Sequence, residues 1–294
     1  MFINIHIIQN YAPSNLNRDD LGAPKTCYFG GVLRSRISSQ SLKRSIRMSD
    51  EFKELLGGIR TRRLAELITK ENDGTDKERQ RIEKILEKCG IKGSSSKRGD
   101  RSSENDDVDA QQEDSKMLVY TTREAIKEMA TILQNNSKTV DELALEFARL
   151  IAQNTAVPDM ALTGRMLEPG KEGQKIWQKF DTTVEASLQV AHAISTHETH
   201  PEVDYFVAAD DIPGENAGAG YLDESMFSSS CFYKYFSINW QQLVDNLKGN
   251  KELAVHTVGA FLRGASTCNP TGKQNSYAAH NPPDGILVEL RNSP

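Results

Sequence analysis

Two kinds of apolar spacing divide this sequence, and their order limits the folds open to it. The opening "FINIHII" alternates, with Ile3, Ile5 and Ile7 on one side and Phe2, Asn4, His6 and Ile8 on the other, which is the period of a half-buried strand. From about residue 60 to residue 153 the period becomes helical. "TDKERQRIEKILEKCG" starts with Thr75 and Glu78 at capping-box spacing and sets Ile82, Ile85, Leu86 and Cys89 on one face. "TTREAIKEMATILQ" offers Thr121 and Glu124 as its box, and "TVDELALEFARLIAQ" offers Thr139 and Glu142. After this block, "TTVEASLQVAHAIS" reads as a helix and "VDYFVAADDIPGENAGAGY" as a strand entering a Gly-rich excursion. "CFYKYFSINW" reads as an aromatic strand, "KELAVHTVGAFLRGAS" as a helix and "GILVEL" as a last strand.

With the helical block set aside, the order is β-α-β-β-α-β, the split ferredoxin-like pattern. The expected class is therefore α+β, a modified ferredoxin-like or RRM-type sheet carrying a long helical insertion. RNA-recognition modules use such a sheet, but so do proteins of many other functions, and topology alone leaves the function open. Within the insertion, residues 92–116 are polar, low in complexity and acidic toward their end, and read as a disordered loop.

Several classes are disfavoured. No apolar run approaches the roughly 20 residues that span a bilayer, and "MFINIHIIQNY" lacks the basic start of a signal peptide, so a cytoplasmic protein without membrane contact is expected. Cys27, Cys89, Cys231 and Cys268 form no CxxC pair, which points to buried reduced thiols rather than a zinc site. "HETH" places His197 and His200 three apart before Pro201, whereas a helical metalloprotease motif needs them four apart. Asp19, Asp20, Asp210 and Asp211 could hold a cation, although Asp19 and Asp20 better suit shaping their loop or pairing with Arg18. No metal or cofactor is expected.

Charge is divided unevenly. Residues 1–49 carry seven Lys or Arg against two Asp, a balance of +5, in a chain of net charge −5. Within them, "FGGVLRSRISSQSLKRSIR" (residues 29–47) holds five cations and no carboxylate. A helix starting at Ser38 or Ser39 would turn Leu42 and Ile46 to the core and leave Gln40, Lys43, Arg44 and Arg47 on a separate arc about 100° wide. Lys43 and Arg47, one turn apart, repel by about 0.2–0.5 kcal/mol unless something neutralises them. The helix start adds unpaired N–H groups and a partial positive charge. "FGG" permits close backbone approach, Arg34 and Arg36 extend the cationic track, and Arg18 and Lys25 reach it from "QNYAPSNLNRDDLGAPKTCYFGG" (residues 9–31), whose Pro, Asn, Asp and Gly read as a loop. Five or more cations on one track suit a run of backbone phosphates better than a single small anion. An ordinary solvated helix face is the plainer reading, and the missing acids count against it.

Here the residues resemble a known family. "NIHIIQNYAPSNLNRDD", "FGG" and "RISSQSLKRSIR", followed in register by "ALTGRM", "VEASLQVAHAISTH", "VDYFVAADD", "FSSSCFYKYFSIN" and "GKQNSYAAHNPPD", are similar to the CasC-type backbone subunit of the type I-E CRISPR Cascade complex. The resemblance covers nearly the whole chain and is weakest in residues 50–150. It implies a non-enzymatic protein that polymerises along a CRISPR guide RNA with other Cascade subunits and further copies of itself. The guide would be presented for pairing with target DNA in antiviral defence. It also implies an RRM-like palm from residues 1–49 and 230–294 with connecting pieces of 154–195, helical fingers in 50–180 and a protruding hairpin-like thumb in 196–229.

By motif match, Arg18, Lys25, Gln40, Lys43, Arg44 and Arg47 inherit guide-backbone contacts, helped by Ser38 and Ser39. Met166 matches an apolar side chain set against the nucleic acid, and Tyr205 and Phe206 match thumb positions beside a displaced base. On the residues alone, those three could equally be core. Lys273 and Gln274 are further guide-contact candidates. Members of that family continue past the strand matching "GILVEL", so this is either a short form or a chain with a further C-terminal segment. Two rival readings are a metal-independent endonuclease acting on CRISPR repeat RNA, with His6 or His192 as general base, and an assembly scaffold whose basic helix meets an acidic protein.

Overall fold

The computed structural model describes residues 1–91, 117–134, 138–208 and 221–293. The acidic loop of residues 92–116, Asp210 and Asp211 lie outside the described residues. The chain forms two compact units, one from residues 1–56, 187–245 and 250–294, the other from 57–186 and 246–249.

The first unit opens with strands β1 (Phe2–Ser14), β2 (Thr26–Phe29) and β3 (Val32–Ile37), then helices α1 (Ser39–Arg47) and α2 (Asp50–Lys53). The second unit follows, with β4 (Gly58–Thr61), α3 (Leu64–Glu71), α4 (Asp76–Lys88), β5 (Val119–Thr122), α5 (Arg123–Leu133), α6 (Val140–Gln153), α7 (Pro158–Thr163) and α8 (Gln174–Trp177). The chain then returns through β6 (Leu188–Val190), β7 (Ala193–Ser195), β8 (Glu202–Ala208), β9 (Tyr221–Asn239), α9 (Trp240–Asn246), α10 (Lys251–Thr267) and β10 (Gly285–Arg291).

In the first unit the sheet runs β10-β1-β9-β7-β3-β2, with β6 and β8 also on β9, and every pairing is antiparallel. Ile3, Ile5 and Ile7 are buried and lie opposite Ile238, Phe236 and Lys234 of β9, so the alternation expected of β1 is present. The same face receives the buried Leu42 and Ile46 of α1 and the α10 ring of Phe261, which meets Phe236 edge-on at 5.4 Å.

Local expectations were met where the signal was local. Ser38 caps α1, and both capping boxes at Thr75/Glu78 and Thr139/Glu142 form. The α5 cap is Thr122 instead of Thr121: Thr122 is the last residue of β5, and its Oγ1 accepts the Ala125 N–H at 3.1 Å, while Thr121, one residue earlier in the strand, pairs with Ile59. The stretch "TTVEASLQVAHAIS" is not a helix. Its residues supply β6 and β7, and Asn239 and Ala191 donate their N–H groups to Ser187 O (2.8 Å) and Tyr235 O (3.0 Å) across that edge. The open edge of β9 offers these hydrogen bonds, and they override a spacing that fits both periods. The segment read as a loop from Gln9 to Gly31 contains the end of β1 and all of β2. Gly30 and Gly31, at φ 66° and 85°, make the two-residue turn that pairs β2 with β3.

The second unit has its own core, including Leu64, Ile68, Ile85, Met129, Leu143 and Phe147. Cys89 is buried there, which pushes its thiol up to about 12. All four cysteines are free, but the other three are only partly buried, contrary to the expectation for the set.

Candidate nucleic-acid interface

The cationic stretch is held at three points. Ser38 donates its N–H to Asn17 Oδ1 (2.8 Å) and accepts from the Ser41 N–H (3.3 Å), fixing where α1 begins. Burial of Leu42 and Ile46 then sets the helix rotation, so Gln40 and Arg44 are exposed and Lys43 and Arg47 half-buried. On β3, Ser35 and Ile37 point inward, and Arg34 and Arg36 therefore share the opposite face.

The two arginines are used differently. Arg34 donates to Phe29 O (3.0 Å) and Ser195 O (2.9 Å), clamping the β2–β3 turn onto β7. Arg36 takes the Lys25 carbonyl with its backbone N–H (2.8 Å) and places Nη1 at 3.2 Å from His192 Nδ1. The His192 imidazole, exposed but partly desolvated by its neighbours, is held below its ordinary range by that desolvation first, then by Arg36, Lys25 and Lys43. Cations from β3, from the segment before β2 and from α1 thus converge. No carboxylate of the described residues forms an ion pair with Arg18, Lys25, Arg36, Lys43 or Arg44. Asp19 instead shapes the loop, accepting the N–H groups of Leu21 and Ala23 at 2.9 Å.

Arg44 also borders an open cleft of about 900 Å³ shared with Asn269, Gln274 and His280. Gln274 is anchored by donating to Ala279 O (2.6 Å). Lys273 is engaged by protein: it pairs with Asp204 (3.6 Å), hydrogen-bonds Ser225 Oγ and lies 5.1 Å over the Phe227 ring, bracing the foot of the β8–β9 ribbon.

The apolar candidates are not core. Met166, Tyr205 and Phe206 are 77%, 67% and 44% exposed. In the second unit, Met166 is turned out because Arg165 beside it is turned in, donating to Ile151 O (2.6 Å) and Thr182 O (3.1 Å). Gly164 makes this possible at φ 70°, where a Cβ would lie 2.7 Å from Val184 O.

His197 and His6 are engaged by protein groups. His197 contacts Glu198 O (2.8 Å) through Nδ1 and accepts the Cys231 N–H (3.3 Å) at Nε2. His6 lies between Tyr233 OH (2.7 Å) and Glu289 (3.2 Å). Among the described residues no group of His, Cys, Asp and Glu could hold a metal, and no helix is long and apolar enough to cross a membrane. Nothing in the spacing of His192 or Asn17 marks either for this place in the sequence, where His192 is a candidate base and Asn17 has no role.

The model of the CT1975-like protein family matches residues 3–294. A chain of a solved "CRISPR RNA-guided surveillance complex, pre-nicking" superposes with a TM-score of 0.76 and 32% identity, over 100% of this chain and 79% of that one. A chain of another CRISPR RNA-guided surveillance complex gives 0.55 and 27%, over 100% and 71%. No curated protein matches the chain.

Proposed function

We propose that this chain, which belongs to the CT1975-like protein family, is a non-enzymatic backbone subunit of a type I-E Cascade surveillance complex that grips CRISPR guide RNA by its phosphates. The carrying observation is the convergence of Lys25, Arg36 and Lys43 on His192, beside an α1 whose exposed side has cations and no acid. Cations and helix N–H groups hold a backbone without choosing a sequence, which leaves the guide's bases free to read DNA. The order β10-β1-β9-β6, all antiparallel and linked through α1 and α10, agrees with a ferredoxin-like palm. In this reading residues 1–49 and 230–294 are palm, 50–180 fingers and 196–229 thumb. Further copies bind along the same guide, target DNA pairs with it, and a separately recruited helicase–nuclease cuts.

The test is to purify the chain from its host and sequence the RNA that accompanies it. Discrete guide-length species are expected, and a folded variant carrying Lys43→Glu, Arg44→Glu and Arg47→Glu should lose them. Random fragments with the parent, or undiminished loading of the variant, would overturn the proposal. One observation favours a second reading: a neutral His192 among cations is a suitable base for metal-independent RNA cleavage. Repeat RNA incubated with the protein and a chelator should stay intact; shortening would favour the endonuclease. RNA-free protein that captures an acidic partner in a salt-sensitive way would favour the scaffold.

A further inference from the structure

His192 owes its place to an irregularity in the sheet. From Val190 opposite Phe236 to Ile194 opposite Tyr233, the β6–β7 side advances four residues while β9 advances three. The extra residue is a bulge, a device that re-aims a side chain. On its other edge β7 pairs Ile194 with Arg36 and Ala193 with Ile37. One step further along that register, His192 comes opposite Ser38, the cap of α1. The imidazole therefore stands at the start of the nine-residue helix, exposed, with Nδ1 facing the Arg36 guanidinium at 3.2 Å. Since Arg36 can only donate, Nδ1 must accept, and the ring proton resides on Nε2.

The surroundings of His192 carry one sign. β3 contributes Arg36, the segment before β2 contributes Lys25, and α1 contributes Lys43. β9 reaches this turn through the uncharged Tyr235 carbonyl, which accepts the Ala191 N–H at 3.0 Å. No carboxylate is among the groups that set the imidazole's titration. Three cations oppose a fourth charge, so the ring stays neutral in the free protein. A phosphodiester placed among them reverses that balance, because its charge offsets theirs and favours the imidazolium.

We propose that His192 is a proton-linked phosphate contact, taking up a proton from solvent when an RNA phosphodiester settles beside Arg36, Lys25 and Lys43 at the start of α1. This rests on the RNA-binding reading above and adds to it a residue and a pH dependence. The sign follows from linkage. Binding raises the His192 pKa, so RNA affinity rises as pH falls between the value in the complex and the lower value in the free protein, and is flat outside that window. With an ordinary histidine near 6.5, the window falls in the mildly acidic range.

The experiment measures affinity of the full chain for a rhodamine-labelled oligouridylate at fixed ionic strength. Between about pH 7.5 and about pH 5.5 the parent should tighten by roughly three- to tenfold. His192→Gln can still accept from Arg36 and donate outward but cannot charge; it should lose the pH dependence. His197→Gln should keep it. Should His192→Gln fold poorly, the imidazole resonance of the parent decides, since its pKa should rise by about one unit or more with the oligonucleotide. RNA binding with an unmoved His192 pKa, or an unchanged slope in His192→Gln, overturns this proposal alone. Absence of RNA binding by the parent at every pH overturns the RNA-binding reading and this proposal with it.

Discussion

The proposed RNA interface makes a quantitative claim about salt. Five cations, Arg18, Lys25, Arg36, Lys43 and Arg44, have no carboxylate partner among the described residues. Each phosphate neutralised on a single strand contributes about −0.7 to the slope of log K against log salt, so five give about −3.5. Raising salt from about 50 mM to about 200 mM should then weaken binding roughly 100-fold. Lys43→Gln removes one contact, which brings the slope to about −2.8 and the loss to about 50-fold, equally for all RNA sequences. Arg34→Gln is the contrast. Its guanidinium is committed to the Phe29 and Ser195 carbonyls, so its removal should loosen the β2–β3 turn more than it alters the slope. Fluorescence anisotropy with single-stranded RNA near pH 8, where His192 is neutral in the free protein, measures both quantities. A parent slope shallower than about −1.5, or a slope that Lys43→Gln leaves unchanged, refutes the five-contact interface.

Two further outcomes follow from buried groups. Lys234 is buried on β9, its ammonium held by Gln9 Oε1 and Asn269 Oδ1 at 2.6 Å and set 5.4 Å over the Tyr11 ring, and burial pulls its pKa down to about 7. The unfolded chain then binds more protons above that pH, so Lys234 makes folding stability rise between pH 7 and about 10, by up to about 1.4 kcal/mol per unit. Urea unfolding of Lys234→Met against the parent should show the difference changing across that range, and parallel curves would refute it. Gly164→Ala, forced to φ 70° with its Cβ 2.7 Å from Val184 O, should lower stability by about 1–3 kcal/mol in the same assay, and an unchanged midpoint would count against the tight turn.

What could be read from the sequence was what neighbours decide. Ser38 announces α1 because an N-cap acts within three residues, and Ile3, Ile5 and Ile7 announce β1 because a strand's period is two. Thr121 and Thr122 are chemically alike, and where the β4–β5 ladder ends, at Thr122 opposite Gly58, decides which one caps α5. "SLQVAHAI" fits a helix and a strand about equally, and the β9 edge chose. The convergence on His192 joins residues 156 apart in the chain, through a β3–β7 pairing that no local pattern encodes. The "FGGV" turn, by contrast, was a hairpin signal that the reading as loop passed over.

The ribbon of β8 and β9 separates two residues that the motif match had treated together. Tyr205 and Phe206 are adjacent, so they face opposite sides. Val203, Tyr205 and Val207, all exposed, share one face with Met226 across the pair. Phe206 shares the other with Asp204, Ser225 and Phe227, the residues engaged by Lys273. A two-stranded ribbon is marginal by itself, and three exposed apolar side chains on one face add to the cost of leaving it in water. Covering them in an assembly would contribute on the order of 3–4 kcal/mol, even with incomplete burial. If the ribbon works as a thumb between successive copies, that face is the one that packs. Val203→Ser, Tyr205→Ser and Val207→Ser together should shorten the assemblies formed on long RNA, read by mass photometry, while RNA affinity at α1 stays within about twofold of the parent. Phe206→Ser should shorten them less. Assemblies of parental length from the triple variant would remove this face from the contact, and a larger effect of Phe206→Ser would assign the contact to the opposite side.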